Sequence, residues 1–167
     1  MEKQEKYELL CKQVESLAAG ETNVVGVLAN VSAAMKTMFP EEYFWVGFYT
    51  VDLPSLKEGV GGRLLLGPFQ GTVACYEIPY GKGVCGSAWK ERKTLVVPDV
   101  EEFPGHIACS SLSRSEIVVP IFVPVDDDEN IDVWGVIDID STELNTFDEV
   151  DARYLERIAE ILSKNIW

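Results

Sequence analysis

What this chain lacks narrows its reading first. No apolar run approaches the roughly 20 residues that a helical membrane span needs. Positive charge is scarce: 14 Lys and Arg stand against 28 Asp and Glu, a net charge of −14. That balance argues against nucleic acid, whose binding depends on cationic side chains neutralising phosphates, and against anionic membrane surfaces. Small neutral or zwitterionic ligands stay open. The opening residues, Met1-Glu2-Lys3-Gln4-Glu5-Lys6, show neither an apolar leader core nor an Arg-rich amphipathic pattern, so a cytoplasmic protein is expected. Repeats, low-complexity tracts and linker-like stretches are missing too, which predicts one domain over residues 1–167. Histidine is reduced to His106, and cysteine to four residues. In a reducing compartment four thiols are not a structural disulfide framework; disulfides there tend to be transient and catalytic.

What is present is ordinary in bulk: 47% hydrophobic and 25% charged residues, typical of a globular domain. A chain of 167 residues buries roughly 70% of its extended surface and needs no staples. Tyr7, Leu10, Cys11, Val14 and Leu17 recur at helical spacing, with Cys11 on the stripe as plain packing. Thr22 or Asn23 is placed to cap a second helix that runs to Pro40. Strands are predicted over 43–51, 63–69, 72–78, 94–97, 117–125 and 133–139, from β-branched and aromatic composition between turn residues. The 117–125 run is apolar without alternation, as expected of a central strand. A short helix is expected over 84–92. Thr146-Phe147-Asp148-Glu149 has capping-box spacing before a last helix. Residues 52–62 and the acidic stretch 126–130 are expected hairpin tips. With hairpins dominating and no βαβ alternation, the fold class is α+β: a central six-stranded antiparallel sheet with the N- and C-terminal helices packed on one face.

Reactive side chains concentrate between Cys75 and Glu116, a stretch holding Cys75, Cys85, Cys109 and His106 among glycines and prolines. Four chemistries compete there. His106, Cys109 and Cys85 could ligate a metal, but paired close-spaced ligands are missing. Gly81-Lys82-Gly83-Val84-Cys85-Gly86 is glycine-rich, yet has no Lys-Ser/Thr ending and opens no βαβ unit. A hydrolytic Cys-His pair lacks the local signatures of cysteine proteases. Thiol redox chemistry needs an attacking thiolate and a second cysteine able to reach it, and an acid if oxygen must leave. Carboxyls are at hand: Glu116 begins a strand, and Asp138 and Asp140 flank Ile139, so both project from one face.

At this point the chain resembles the free methionine-R-sulfoxide reductases, a family built on a GAF fold. The matching segments are Trp45-Val46-Gly47-Phe48-Tyr49, Leu66-Gly67-Pro68-Phe69-Gln70-Gly71, Ala74-Cys75, Gly81-Lys82-Gly83-Val84-Cys85-Gly86, Gly105-His106-Ile107-Ala108-Cys109, Ser115-Glu116-Ile117 and Gly135-Val136-Ile137-Asp138-Ile139-Asp140-Ser141. The resemblance implies a single GAF-like domain, with residues 1–20 as an N-terminal helix and 21–167 as the reductase core. It implies that Cys109 attacks the sulfoxide sulfur of free L-methionine-(R)-sulfoxide, that Cys75 resolves the sulfenic acid as a disulfide, and that Cys85 is an auxiliary thiol. Glu116, Asp138 and Asp140 would hold the substrate and assist departure of oxygen, with one of them protonated. Trp45 and Tyr49 would form the wall against the S-methyl group, and His106 becomes a structural neighbour. No bound cofactor is implied; electrons would come from a thioredoxin-like reductant served by NADPH and thioredoxin reductase. The resemblance leaves room for a homodimer paired through helices. Its compact members are shorter at 55–62 and 126–130. The rival readings are a ligand-sensing GAF module without chemistry and a thiol-based oxidant sensor.

Overall fold

A computed structural model of the chain describes residues 1–53, 62–124 and 131–166; most of the first expected hairpin tip and all of the 126–130 turn lie outside these residues. Helix α1 (Lys3–Ala18) starts with a reciprocal box between Glu2 and Glu5 and buries Tyr7, Leu10, Cys11, Val14 and Ala18. Helix α2 (Val24–Met38) is capped by Asn23, whose Oδ1 accepts from the Gly26 amide at 3.0 Å. Its last turn is closed by Lys36, which donates to the carbonyls of Pro40 and Tyr43. Pro40 follows the helix end at the distance where proline stops a helix without kinking it.

Among the described residues six strands follow: β1 (Trp45–Val51), β2 (Arg63–Gln70), β3 (Glu77–Pro79), β4 (Leu95–Val97), β5 (Ser115–Pro124) and β6 (Ile131–Ser141). They form one sheet in the order β3-β2-β1-β6-β5-β4, every pairing antiparallel. Between β3 and β4 lies helix α3 (Gly83–Glu91), and the last helix is α4 (Glu149–Ile166).

Strand alternation divides the sheet chemically. Val46 and Phe48 of β1, Ile117, Val119 and Ile121 of β5, and Ile137 and Ile139 of β6 face α1, α2 and α4 in the main core. Each such side chain, fully buried, contributes roughly 1.5–3 kcal/mol of transfer free energy. The intervening positions, among them Trp45, Tyr49, Val118 and Val136, face the other way, toward α3. Strand β5 is apolar on both faces because it is covered on both, which is why its residues do not alternate. Helix α1 is also tied to α4 by polar contacts. Tyr7 Oη donates to Asp151 Oδ1 at 2.6 Å and lies 2.5 Å from Tyr43 Oη, while Lys3 Nζ reaches Asp151 Oδ2 at 2.6 Å.

Two local expectations need correction. The strand expected over 72–78 is reduced to Glu77–Pro79. The carbonyls of Thr72 and Cys75 are taken by Trp45 Nε1 and Tyr49 Oη, each at 3.0 Å, instead of by a neighbouring strand, and Gly71 at φ +139° redirects the chain. The start of α4 is also set two residues later than Thr146. Asp148 Oδ1 accepts from the Val150 amide at 2.8 Å, and Asp151 Oδ2 accepts in return from the Asp148 amide at 2.8 Å. Thr146 Oγ1 donates to Ser141 Oγ at 2.8 Å instead.

Candidate active site

The register of three strands builds the floor of the site. Glu116 on β5 lies opposite Asp140 on β6, and Asp140 lies opposite Trp45 on β1. One row along, Val118, Asp138 and Gly47 are aligned, and beyond them Val136 faces Tyr49. Directly opposed residues share a face, so three carboxyls and two aromatics collect on the side away from the main helices. Gly47 has a packing reason to be glycine: a Cβ there would fall 2.3 Å from Cβ of Phe69. Phe69 in turn stacks on Trp45, with centroids 5.1 Å apart.

Helix α3 roofs one side and delivers Cys85 into the cluster. Its approach to β3 is close enough that a Cβ at Gly86 would meet the Pro79 carbonyl at 2.5 Å. Cys85 Sγ and carboxylate oxygens of Glu116 and Asp138 then lie within 4.8 Å of one another, all three residues buried. Among the described residues these three, and not the His106, Cys109 and Cys85 set weighed from sequence, are the donors close enough to share a cation. Cys109 is instead bonded to Cys75 in a disulfide, with Cα atoms 5.6 Å apart. The bridge joins the 72–75 segment to the 106–113 loop at the rim.

The resulting pocket is lined by Trp45, Tyr49, Cys85, Cys109, Glu116, Asp138 and Asp140 together with His106, Ser113 and apolar neighbours. It is a small cavity in the disulfide form, part of it open to solvent. Cys75 adjoins it through the disulfide. Trp45 and Tyr49 do more than form a wall: their polar tips hold the backbone on either side of Ala74, and so set the position of Cys75.

Electrostatics inside the pocket favour neutral acids. Burial, then the neighbouring Asp140 carboxyl, pushes Glu116 up to about 8. Asp138 is pushed well above the carboxylate range by burial and by Glu116, with which it shares a hydrogen bond. Asp140 moves the same way, through burial and Asp138. It is only part-buried by surface exposure, so solvent tempers its shift more than that of Asp138. Burial also raises the Cys85 thiol, and Asp138 beside it adds to the effect, so Cys85 is held as S–H. His106 Nε2 lies 3.5 Å from Glu116 Oε2, and burial lowers its pKa, which leaves it neutral at pH 7. Among the described residues one buried side-chain oxygen has no hydrogen-bond partner, Asp138 Oδ1. An acceptor left without a protein partner on a pocket floor is available to a ligand.

Sequence reasoning missed Ser113, whose hydroxyl hydrogen-bonds Asp140, and the backing role of Phe69. Ser113 lies three residues before Glu116, on the loop that leads into β5, but nothing in its own type distinguishes it from Ser110 or Ser111. His106 sits against the carboxyl cluster, as a neighbour of Glu116.

Comparison with known proteins places the chain in context. The GAF domain model matches residues 22–166. GAF domain-containing protein A of Dictyostelium discoideum is 51% identical over 160 residues, covering 96% of this chain and 92% of that protein. The free methionine-R-sulfoxide reductase of Saccharomyces cerevisiae is 40% identical over 168 residues, covering 99% of this chain and 88% of that protein. The X-ray structure of free methionine-R-sulfoxide reductase from Neisseria meningitidis, in complex with its substrate, superposes with a TM-score of 0.87 at 48% identity, covering 99% of this chain and 91% of that one.

Proposed function

We propose, for a chain that belongs to the free methionine-R-sulfoxide reductases of the GAF-domain family, that this pocket reduces free L-methionine-(R)-sulfoxide to methionine, with Cys109 as nucleophile. The observation that carries the assignment is the Cys75–Cys109 disulfide at the rim of a pocket floored by three carboxyls. In the reduced enzyme the Cys109 thiolate attacks the sulfoxide sulfur. A proton passes to the sulfoxide oxygen, the hydroxyl so formed shifts from the substrate sulfur to the Cys109 sulfur as the transient S–S bond opens, and methionine leaves with Cys109 as a sulfenic acid. The Cys75 thiol then attacks that sulfur, water departs, and the disulfide forms. Its Cα separation of 5.6 Å lies within the ordinary disulfide range.

The proton comes from the Glu116–Asp138 pair. Burial first, and then the neighbouring carboxyls, keep a proton on the pair at neutral pH. The orphaned Asp138 Oδ1 supports a direct contact with substrate. Asp140, at the more open end, takes the substrate ammonium, and entry of that cation lowers its pKa so that it ionises. Trp45 and Tyr49 pack on the S-methyl and exclude water. Cys85, buried and held as a thiol, is auxiliary. A dithiol protein of the thioredoxin type, supplied with electrons from NADPH, returns the disulfide to thiols, and the reducing cytoplasm suits such a cycle.

The test is an NADPH-coupled assay on resolved epimers of free and peptide-bound methionine sulfoxide. Turnover of the free R epimer alone is expected. Equal turnover of the S epimer, or none of either, overturns the assignment.

A further inference from the structure

The reductase cycle above ends with a disulfide that must be opened from outside, and the surface around it is unusual. Among the described residues, the two most exposed large hydrophobic side chains in the protein are Val73 at 87% and Tyr76 at 85%. They stand on either side of Cys75. Leu112, 57% exposed, lies three residues beyond Cys109, and Tyr80 at 46% lies five beyond Cys75. Cys109 is itself exposed and Cys75 is part-buried. The other exposed hydrophobics, such as Leu9, Val25, Ile131 and Leu144, are scattered along the chain and need no explanation. A cluster centred on a reactive bond does.

We propose that Tyr76 and Leu112, with Val73 and Tyr80, form the docking surface on which a dithiol protein of the thioredoxin type seats itself to reduce Cys75–Cys109. The proposal rests on the reductase reading for the need to recycle the disulfide. Its size is right. Consecutive Cα atoms are 3.8 Å apart, so Tyr76 is one such step from Cys75 and Leu112 at most about 11 Å from Cys109. The two cysteines are 5.6 Å apart. A standard interface covers about 800 Å² per partner, a disc of roughly 16 Å radius, so both cysteines, Val73, Tyr76 and Leu112 fall under one footprint. A small thiol would need only access to sulfur. An apolar rim adds attraction only for a partner large enough to cover it, and an exposed Tyr is a side chain that commonly anchors protein interfaces. In the docked complex a thiolate of the partner bonds to one sulfur of the bridge and expels the other as thiolate. The partner's second thiol then attacks the mixed disulfide, which releases both cysteines reduced and leaves the partner oxidised, a two-electron transfer.

The double variant Tyr76→Ser/Leu112→Ser tests this, because neither residue lines the pocket. Disulfide-form protein is mixed with reduced thioredoxin or with dithiothreitol, and the appearance of free thiols is followed by alkylation and mass spectrometry. The rate constant with thioredoxin is expected to fall about tenfold or more, equivalent to 1.4 kcal/mol or more at the interface, while the rate with dithiothreitol stays within twofold. Equal rates for variant and wild type with thioredoxin overturn the proposal, as does an equal loss with both reductants. A change from dimer to monomer in the variant with thioredoxin kinetics untouched also overturns it, because the surface then belongs to a second copy of the chain. The reductase reading fails separately, through absent sulfoxide turnover by the wild type.

Discussion

Two aspartates, one on each side of the sheet, are buried almost equally and used in opposite ways. Asp151 is 2% exposed and Asp138 is 5% exposed. Asp151 has a donor for each oxygen: Tyr7 Oη on Oδ1, and Lys3 Nζ and the Asp148 amide on Oδ2. Asp138 shares its carboxyl with Glu116 and Cys85 and leaves Oδ1 with no partner. The first is a satisfied structural device that fastens α1 to α4. The second keeps an unmet valence whose cost the rest of the fold absorbs, and the unmet valence is what a ligand would use. Burial alone does not separate structure from function here; the completeness of the hydrogen-bond set does.

The sharpest way to break this contrast is to remove the nucleophile. Cys109→Ser should abolish turnover, a loss of more than roughly 1000-fold, because a serine hydroxyl is a weak nucleophile without an activating base. Melting of the reduced protein should be unchanged. Residual activity above one-tenth of wild type would show that another thiol attacks. Next in size is Asp138→Asn, where kcat/KM should fall about 100- to 1000-fold, the ordinary worth of a positioned acid. Its melting temperature should hold or rise, since an amide is cheaper to bury than an acid in a carboxyl cluster.

Asp151→Ala should do the reverse. Tyr7 and the Asp148 amide lose their acceptor while Lys3, part-exposed, turns to water, so stability should fall by about 2–4 kcal/mol. The chemistry of the folded fraction should stay within twofold. Denaturant melts paired with initial rates check both aspartates. Should Asp138→Asn destabilise the fold and Asp151→Ala spare it, the division between the two faces is wrong.

Much of this division could be read from residue types, and part of it could not. The helical stripes through Tyr7 to Val14 and Val24 to Met38, and the two-faced β5, follow from periodicity alone. So does the placing of Asp138 and Asp140 on one face. The register that sets Glu116 opposite Asp140 is a long-range property, fixed by how β5 meets β6 across some 24 residues of chain, and no local pattern encodes it. Residues 72–76 read as strand by composition and form none, for a physical reason. Thr72, Val73 and Tyr76 have strand composition, but Val73 and Tyr76 are exposed, and the backbone between them is held by Trp45 and Tyr49. Likewise both Thr146 and Asp148 have side chains able to cap a helix; only the partner Asp151, three residues after Asp148, decides between them. The pairing of Cys75 with Cys109 came from family resemblance, because spacing does not order three cysteines.

Glu116 supplies a smaller effect, read as pH dependence. Its pKa of about 8 in the fold stands above the 4.5 of an unperturbed glutamate. A carboxyl raised by folding stabilises the fold only while neutral. That contribution is complete below about 4.5 and is lost as pH rises through about 8. The melting temperature of the wild type should therefore decline between pH 5 and pH 9, and Glu116→Gln should flatten that decline. In the wild type, kcat should also fall on a limb near pH 8 as the proton leaves the Glu116–Asp138 pair. A limb that survives unchanged in Glu116→Gln would assign it to another group.

The smallest effects belong to the two free cysteines, Cys11 and Cys85, which repeat the aspartate contrast in a softer form. Cys11 packs among apolar side chains of the main core, where it behaves as a small hydrophobe. Cys11→Ala should cost about 1 kcal/mol from the lost sulfur volume and leave turnover alone. Cys85 is equally buried but touches Asp138 and Glu116. Cys85→Ser keeps a donor facing Asp138, so turnover should drop by less than about fivefold, whereas Cys85→Val removes the donor and leaves a second unmet valence, at about 1–3 kcal/mol. If Ser and Val behave alike in the pH profile of kcat, the thiol acts only through its volume. If Ser abolishes recycling by thioredoxin, Cys85 is a redox relay and its place beside the carboxyls is incidental.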